Sequence, residues 1–261
     1  MNLIDTHAHL QFKAYDPDRE KVVKRNSKEL EAIINVGAAI DSSEGAVALA
    51  KDISNFYASV GVHPHHSDQW DQETLDKLTK LAGKEKVVAI GEIGLDLHQY
   101  TDYPKPRLED QTKMLHDQIG LAIEKNLPII FHCRDAYEEL LAEIAQYKGK
   151  IRGVMHCFIG SLDQAEKFLR FGLYLSFTGN ITYKNNDSIR EVAKNTPNDK
   201  ILIETDSPYL PPEPYRGKRN EPIYVKMAAS KIAEIKILSL EEVAAITSDN
   251  AKTLFKINYV H

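Results

Sequence analysis

The chain has 261 residues, with 33 Lys plus Arg against 38 Asp plus Glu, a formal charge of -5 and 43% hydrophobic side chains. This length supports a substantial core, in one large α/β barrel or two smaller domains, and no apolar run nears the roughly 20 residues of a membrane span. Two cysteines, Cys133 and Cys157, are too few for a disulfide scaffold and form no CxxC pair.

Met1-Asn2-Leu3-Ile4-Asp5 has neither the basic start nor the apolar stretch of a secretory signal, which predicts a soluble, cytoplasmic protein. The first β-type run is Leu3 to His9. His7 and His9 are two apart, so on a strand both imidazoles project from one face. A single strand histidine is more often a hydrogen-bonded core residue, whereas a same-face pair suits a metal. Asp5 shares their parity and is placed to orient a ligating ring. The second run is Ala32 to Ala38. The third, Phe56 to His63, leads into Gly61-Val62-His63-Pro64-His65-His66, whose imidazoles suit phosphate binding or proton transfer at a mouth loop, or simple solvation.

The fourth run, Val87 to Leu95, carries Gly91-Glu92-Ile93-Gly94-Leu95-Asp96 at its end. A carboxylate inside an apolar strand is unfavourable unless paired or bound to a cation, and the strand cores offer almost no Lys or Arg apart from Arg134. Gly91 and Gly94 predict close approach of a metal or substrate beside Glu92. Asp96 shares the parity of Glu92, nearer the mouth. Arg107 to Asn126 then reads as a helix with an apolar stripe that includes Leu115, Ile119 and Ala122.

The fifth and sixth runs, Pro128 to Arg134 and Arg152 to Phe158, end in Phe131-His132-Cys133-Arg134 and Met155-His156-Cys157-Phe158. With the histidines turned inward, Cys133 and Cys157 are expected to face the helices. Ser161 is a plausible cap for a helix to Phe171. After the seventh run, Leu173 to Gly179, the eighth, Ile201 to Ser207, ends Ile203-Glu204-Thr205-Asp206-Ser207-Pro208. Asp206 is the better ligand there, and Glu204 is expected deeper. A proline-rich stretch to Pro222 contains Arg216-Gly217-Lys218-Arg219.

Eight β/α repeats, with nearly continuous apolar strands and no GxGxxG after the first, predict an α/β TIM (β/α)8 barrel, a single domain over residues 1–261. His7, His9, Glu92, His132, His156 and Asp206 then gather at the C-terminal face, where barrel enzymes build their sites. Four imidazoles and two carboxylates exceed the needs of one tetrahedral zinc and suit two divalent ions with Glu92 between them, which makes hydrolysis the expected reaction. Arg134, Arg216, Lys218 and Arg219 concentrate positive charge near that mouth, as phosphate binding requires; a solvated turn is the plain alternative.

Asp5-Thr6-His7-Ala8-His9, Gly61-Val62-His63-Pro64-His65, Gly91-Glu92-Ile93-Gly94-Leu95-Asp96, His132-Cys133-Arg134, Met155-His156-Cys157-Phe158, Glu204-Thr205-Asp206-Ser207-Pro208 and Arg216-Gly217-Lys218-Arg219-Asn220 together resemble the TatD-type metal-dependent deoxyribonucleases of the amidohydrolase-like barrels. The resemblance spans nearly the whole chain. It implies a phosphodiesterase that removes nucleotides from DNA, typically 3′ to 5′ on single strands or frayed 3′ ends. Magnesium or manganese is implied in function, with zinc or other ions in crystals, and neither a membrane nor an obligate protein partner. By the same resemblance the six residues above match the metal ligands; from that ligand set, Asp206 and Glu92 are expected to serve the reaction. His63 matches a histidine near the scissile phosphate, and Arg216, Lys218 and Asn220 match the loop that closes the substrate side; His65 and Arg134 are expected on that side from their place at the mouth. The family commonly has Tyr after Gly-Leu-Asp; here it is Leu97, with Tyr100 and Tyr103 close enough to substitute.

Two other readings compete. A small-molecule amidohydrolase or esterase would use the same metals, but such enzymes often bridge them with a carboxylated lysine, and Glu92 occupies that strand end; an aminoacyl-tRNA deacylase is a related alternative. A metal-storing barrel would not need six ligands and an arginine-lined mouth.

Overall fold

The computed structural model describes residues 2–101 and 105–257. Eight strands occur at the positions that the apolar runs predict: β1 (Ile4–Ala8), β2 (Ala32–Val36), β3 (Phe56–Val60), β4 (Val87–Asp96), β5 (Ile129–Arg134), β6 (Gly153–Met155), β7 (Tyr174–Phe177) and β8 (Ile201–Ile203). Their order in the sheet is their order in the chain, and all pairs are parallel. The helices between and after them are α1 (Arg19–Glu29), α2 (Ile40–Asp52), α3 (Gln72–Ala82), α4 (Leu108–Lys125), α5 (Tyr137–Ile144), α6 (Leu162–Phe171), α7 (Asp187–Asn195), α8 (Val225–Lys236) and α9 (Leu240–Phe255). The result is a nearly closed TIM barrel. None of the described helices is long and apolar enough to cross a membrane.

Closure between β1 and β8 rests on few bonds. Asp206 N donates to His7 O and His9 N to Ser207 O, each at 2.8 Å, across a single Ala8–Ser207 bridge. Asp5 reinforces the seam: one carboxylate oxygen accepts from Thr205 N at 2.9 Å and the other from Thr205 Oγ1 at 2.6 Å. Asp5 therefore does not orient an imidazole, contrary to the parity argument. The reason is a register shift between Asp5 and Ala8, where β1 holds one residue more than β2 and strict alternation fails.

The barrel floor is apolar. Ile4, Ile34, Val88, Ile130, Val154 and Leu202 form one buried cluster, closed from below by Leu254 and Phe255 of α9. Two residues beyond Ile130 and Val154 come His132 and His156, and Leu202 leads by twos to Glu204 and Asp206. One period-2 pattern thus runs from a greasy floor to a polar rim. Outside, Ile119 and Leu115 of α4 and Phe168 of α6 pack in the larger cluster between strands and helices. Ser161 caps α6 as expected, accepting from Gln164 N at 3.2 Å.

Gly91 and Gly94 make room for β5, not for a ligand. A Cβ on Gly94 would stand 1.8 Å from His132 O, and one on Gly91 2.6 Å from Ile130 Cβ. Between them β4 shifts register against β5, and Glu92 sits in that irregularity. Gly94→Ala is expected to lower unfolding stability by about 3 kcal/mol or more. Gly120→Ala, on α4 with nothing near its added Cβ, should raise it by about 0.5–1 kcal/mol. Urea titration of both variants checks the contrast.

Candidate metal centre

At the rim, strand ends from around the ring bring six ligand-type side chains to one point. Glu92 stands in the middle, 5% exposed. Its Oε1 lies 2.8 Å from His132 Nδ1, 3.0 Å from His156 Nε2 and 3.8 Å from His63 Nε2, and its Oε2 lies 3.5 Å from His7 Nε2. On the far side, His7 Nε2 and His9 Nε2 point at each other at 3.1 Å, and Asp206 Oδ1 is 3.4 Å from His9 Nε2 and 3.8 Å from His7 Nε2. His7, His9 and Asp206 form one donor group, and His132 and His156 a second. Glu92 turns one oxygen to each.

These donors fit divalent ions. Two ring nitrogens facing at 3.1 Å can share one proton at most, whereas both lone pairs can serve a cation. His132 Nδ1 approaches Glu92 closely yet is out of line for a hydrogen bond, and it has no such partner among the described residues. A buried donor set left in that condition is matched by a cation between the groups.

The outward nitrogens of His9, His156 and His132 are tied down, and those ties set which nitrogen faces inward, whereas His7 Nδ1 has no hydrogen-bond partner among the described residues. His9 Nδ1 donates to Val36 O at 2.7 Å. His156 Nδ1 is held by Glu204 Oε1 at 3.0 Å, and the same oxygen accepts from Cys157 N at 2.7 Å. His132 reverses the pattern, with Nε2 held by Asp96 Oδ2 at 3.0 Å and Nδ1 inward. His63 differs in kind. Its Nδ1 accepts from His65 N at 3.2 Å, so its proton sits on Nε2 and the ring presents an N–H to the cavity. That suits a hydrogen-bond donor better than a ligand.

The titration behaviour follows from burial and from Glu92. Burial alone would raise the Glu92 carboxyl, but the charge of His156 and the close approach of the His132, His156 and His7 rings hold it well below the usual range. For His156 burial opposes the charged form, yet Glu92 and Glu204 push it well above an ordinary imidazole; Asp96 and Glu92 raise His132 likewise. Burial lowers His7 and, more strongly, His63, which keeps the latter ring neutral.

A cavity of about 640 Å³ opens over the centre, and His63, His65 and Arg134 border it. Arg134 makes no ion pair among the described residues; it stands 5.2 Å from the Tyr100 ring centre and donates to the Tyr100 hydroxyl at 3.2 Å. Tyr100 in turn donates to Asp96 Oδ2 at 2.8 Å, and its own proton is pushed up to about 12 by burial and by Asp96. Leu97 packs against the outer core, so the hydroxyl at this wall comes from Tyr100, while Tyr103 lies outside the described residues.

The closing loop departs from expectation. Arg216 and Lys218 do not border the cavity: Arg216 stacks 4.3 Å over Tyr183 beside Glu213, and Lys218 lies 5.9 Å from the Tyr215 ring. Asn220 is fully buried, its Nδ2 donating to Thr205 O at 2.9 Å and Tyr209 O at 2.6 Å; it braces the turn that carries Asp206 and does not face a substrate. Arg219 is spent on Asp18, at 2.7 and 2.8 Å. Cys133 packs in the outer core while also touching the cavity, and Cys157 borders the cavity where β6 has ended at Met155 and the chain turns through a φ of 45°. Asp96 and Glu204, known from sequence only by their parity, emerge as the residues that hold His132 and His156.

The model of the family described as TatD related DNase matches residues 4–256. A Bacillus subtilis protein named an uncharacterized metal-dependent hydrolase, YabD, is 44% identical over 98% of this chain and 100% of its own length. The Erwinia amylovora protein named 3′-5′ ssDNA/RNA exonuclease TatD is 33% identical, over 97% of this chain and 99% of its own. The crystal structure of YjjV, a TatD homologue from Escherichia coli K12, superposes with a TM-score of 0.90 at 31% identity, covering 98% of both chains.

Protons and metal compete for the raised imidazoles, so divalent-ion affinity is expected to fall as pH drops through the His132 and His156 transitions, by about tenfold per pH unit for each proton displaced. Glu204→Ala should weaken binding about 10–100-fold. Calorimetric titration across pH tests both, and an affinity indifferent to pH would refute the competition.

Proposed function

The chain belongs to the TatD-related DNase family of metal-dependent hydrolases, and we propose that it hydrolyses DNA phosphodiester bonds, releasing nucleotides from single-stranded 3′ ends. The observation that carries this reading is Glu92, with one oxygen turned to each of two donor groups under a cavity bordered by Arg134, which makes no ion pair among the described residues. Two divalent ions held there, by His7, His9 and Asp206 on one side and His132 and His156 on the other, would supply Lewis acidity to the phosphoryl oxygens and lower the pKa of an attacking water.

The residues of the chain do the rest. Asp206, with Oδ1 toward His9 and its side chain 15% exposed, borders the cavity and can take the proton that the water loses. Burial, outweighed by a hydrogen bond from His9 and the charges of His156 and His7, leaves that carboxyl below its ordinary value, so it is ionised and ready to accept. His63 offers its Nε2–H to a non-bridging phosphate oxygen and stays neutral in doing so. Arg134 faces the adjoining phosphate, with its guanidinium supported on Tyr100.

Donor chemistry narrows the metal. Imidazole nitrogen suits zinc, whereas magnesium and manganese prefer carboxylate and water oxygen; the four imidazoles therefore favour zinc, and the two carboxylates leave manganese and magnesium for the same assay. The exonuclease-named relatives act on DNA and RNA by name, and RNA belongs in the same assay.

Glu92→Gln and Asp206→Asn are each expected to reduce metal-dependent nucleotide release from single-stranded DNA by about 10²–10⁴-fold, and chelation should abolish it. Full activity in either variant overturns the assignment. Cyclic amides, simple esters and aminoacyl-tRNA, run alongside, would reveal acyl hydrolysis at the same centre instead.

A further inference from the structure

The cavity has two unlike walls, and phosphate chemistry accounts for one of them. His63, Tyr100 and Arg134 stand on the β3 to β5 side. Half the ring away, after β1 and β8, stand Phe12 and Tyr209, with Ile159 from the loop after β6. Tyr209 is 54% exposed and Ile159 45%, and these are two of the four large hydrophobic side chains that are exposed among the described residues. Apolar surface gathered at the mouth of a charged site is what a ligand covers.

That wall is aromatic. Phe12 stacks on His9 with ring centres 4.4 Å apart and planes 15° apart, and Tyr209 meets the two rings edge-on at 6.5 and 6.4 Å. They enclose a corner beside the metal ligands. The backbone of Tyr209 is anchored beside it: its N–H donates to Asp206 O at 2.9 Å, and its carbonyl accepts from the buried Asn220 side chain. Ligand and aromatic ring therefore sit on one braced turn.

We propose that Phe12 and Tyr209, faced by Ile159, form a subsite for one unstacked nucleobase of the strand whose phosphate lies over Glu92. Every base has a π-face, so such a corner is tolerant of sequence. A base can reach it only after leaving its partner, which makes an unpaired end the form that fits. The opposite wall takes charge and this wall takes the base, so the two together orient the strand. The inference rests on the reading of the site as one for nucleic acid.

The test compares deoxyadenosine monophosphate with deoxyribose 5-phosphate as calorimetric probes of the metal-loaded protein, wild type, Tyr209→Ala and Tyr209→Phe. Wild type is expected to bind the nucleotide about tenfold or more tightly than the sugar phosphate. Tyr209→Ala should lose that margin with its sugar phosphate affinity kept, and Tyr209→Phe should retain it. An equal margin in wild type and Tyr209→Ala overturns the proposal. Release of nucleotides from single-stranded DNA is followed in parallel. A margin present without DNA cleavage leaves the subsite and refutes the reaction; cleavage with no margin refutes the subsite alone.

Discussion

One buried carboxylate organises this protein. Glu92 is placed among imidazoles that approach it from β1, β5 and the turn after β6, and a negative charge in that position is tolerable only because positive charge surrounds it. The raised His132 and His156 and the lowered Glu92 are one fact seen from two sides. Protons on the rings and bound metal are alternative ways to balance the same centre, which is why metal binding and pH are coupled here.

The barrel supplies what such a centre needs, a set of fixed donors from distant parts of the chain. Regular strands alone would not do it. β1 and β4 each carry a register shift just before or at the ligands, and these irregularities aim His7 and Glu92 while breaking strict alternation. Gly94 lets β4 and β5 approach closely enough for Glu92 and His132 to meet. Around the ligands three acceptors, Val36 O, Asp96 and Glu204, determine which nitrogen His9, His132 and His156 offer. His63 lacks such an acceptor and receives a backbone N–H instead, so a histidine in the same cavity takes a different chemical part.

The proline-rich loop after β8 serves the centre from behind. Its Arg219 and Glu221 bind Asp18 and Arg25 around α1, and its Asn220 holds the backbone on which Asp206 and Tyr209 ride. Basic residues that look like substrate contacts in the sequence are largely engaged with the protein itself, and Arg134 is left to present free charge to the cavity.

The amino-acid sequence by itself determined the eight strands, their parallel arrangement and the six ligand-type side chains at their ends, because apolar runs and residue parity are local properties that a strand obeys wherever it lies. The motifs from Asp5-Thr6-His7-Ala8-His9 to Arg216-Gly217-Lys218-Arg219-Asn220 also marked the family. Only the tertiary structure decided what each polar residue does once there. Asp5 was lost to the seam by a bulge that no parity count contains, Asn220 was turned inward by its partners, and Asp96 and Glu204 became acceptors through neighbours more than thirty residues away. A hydrogen bond is short-ranged and directional, so its partner is known only when the strands are side by side.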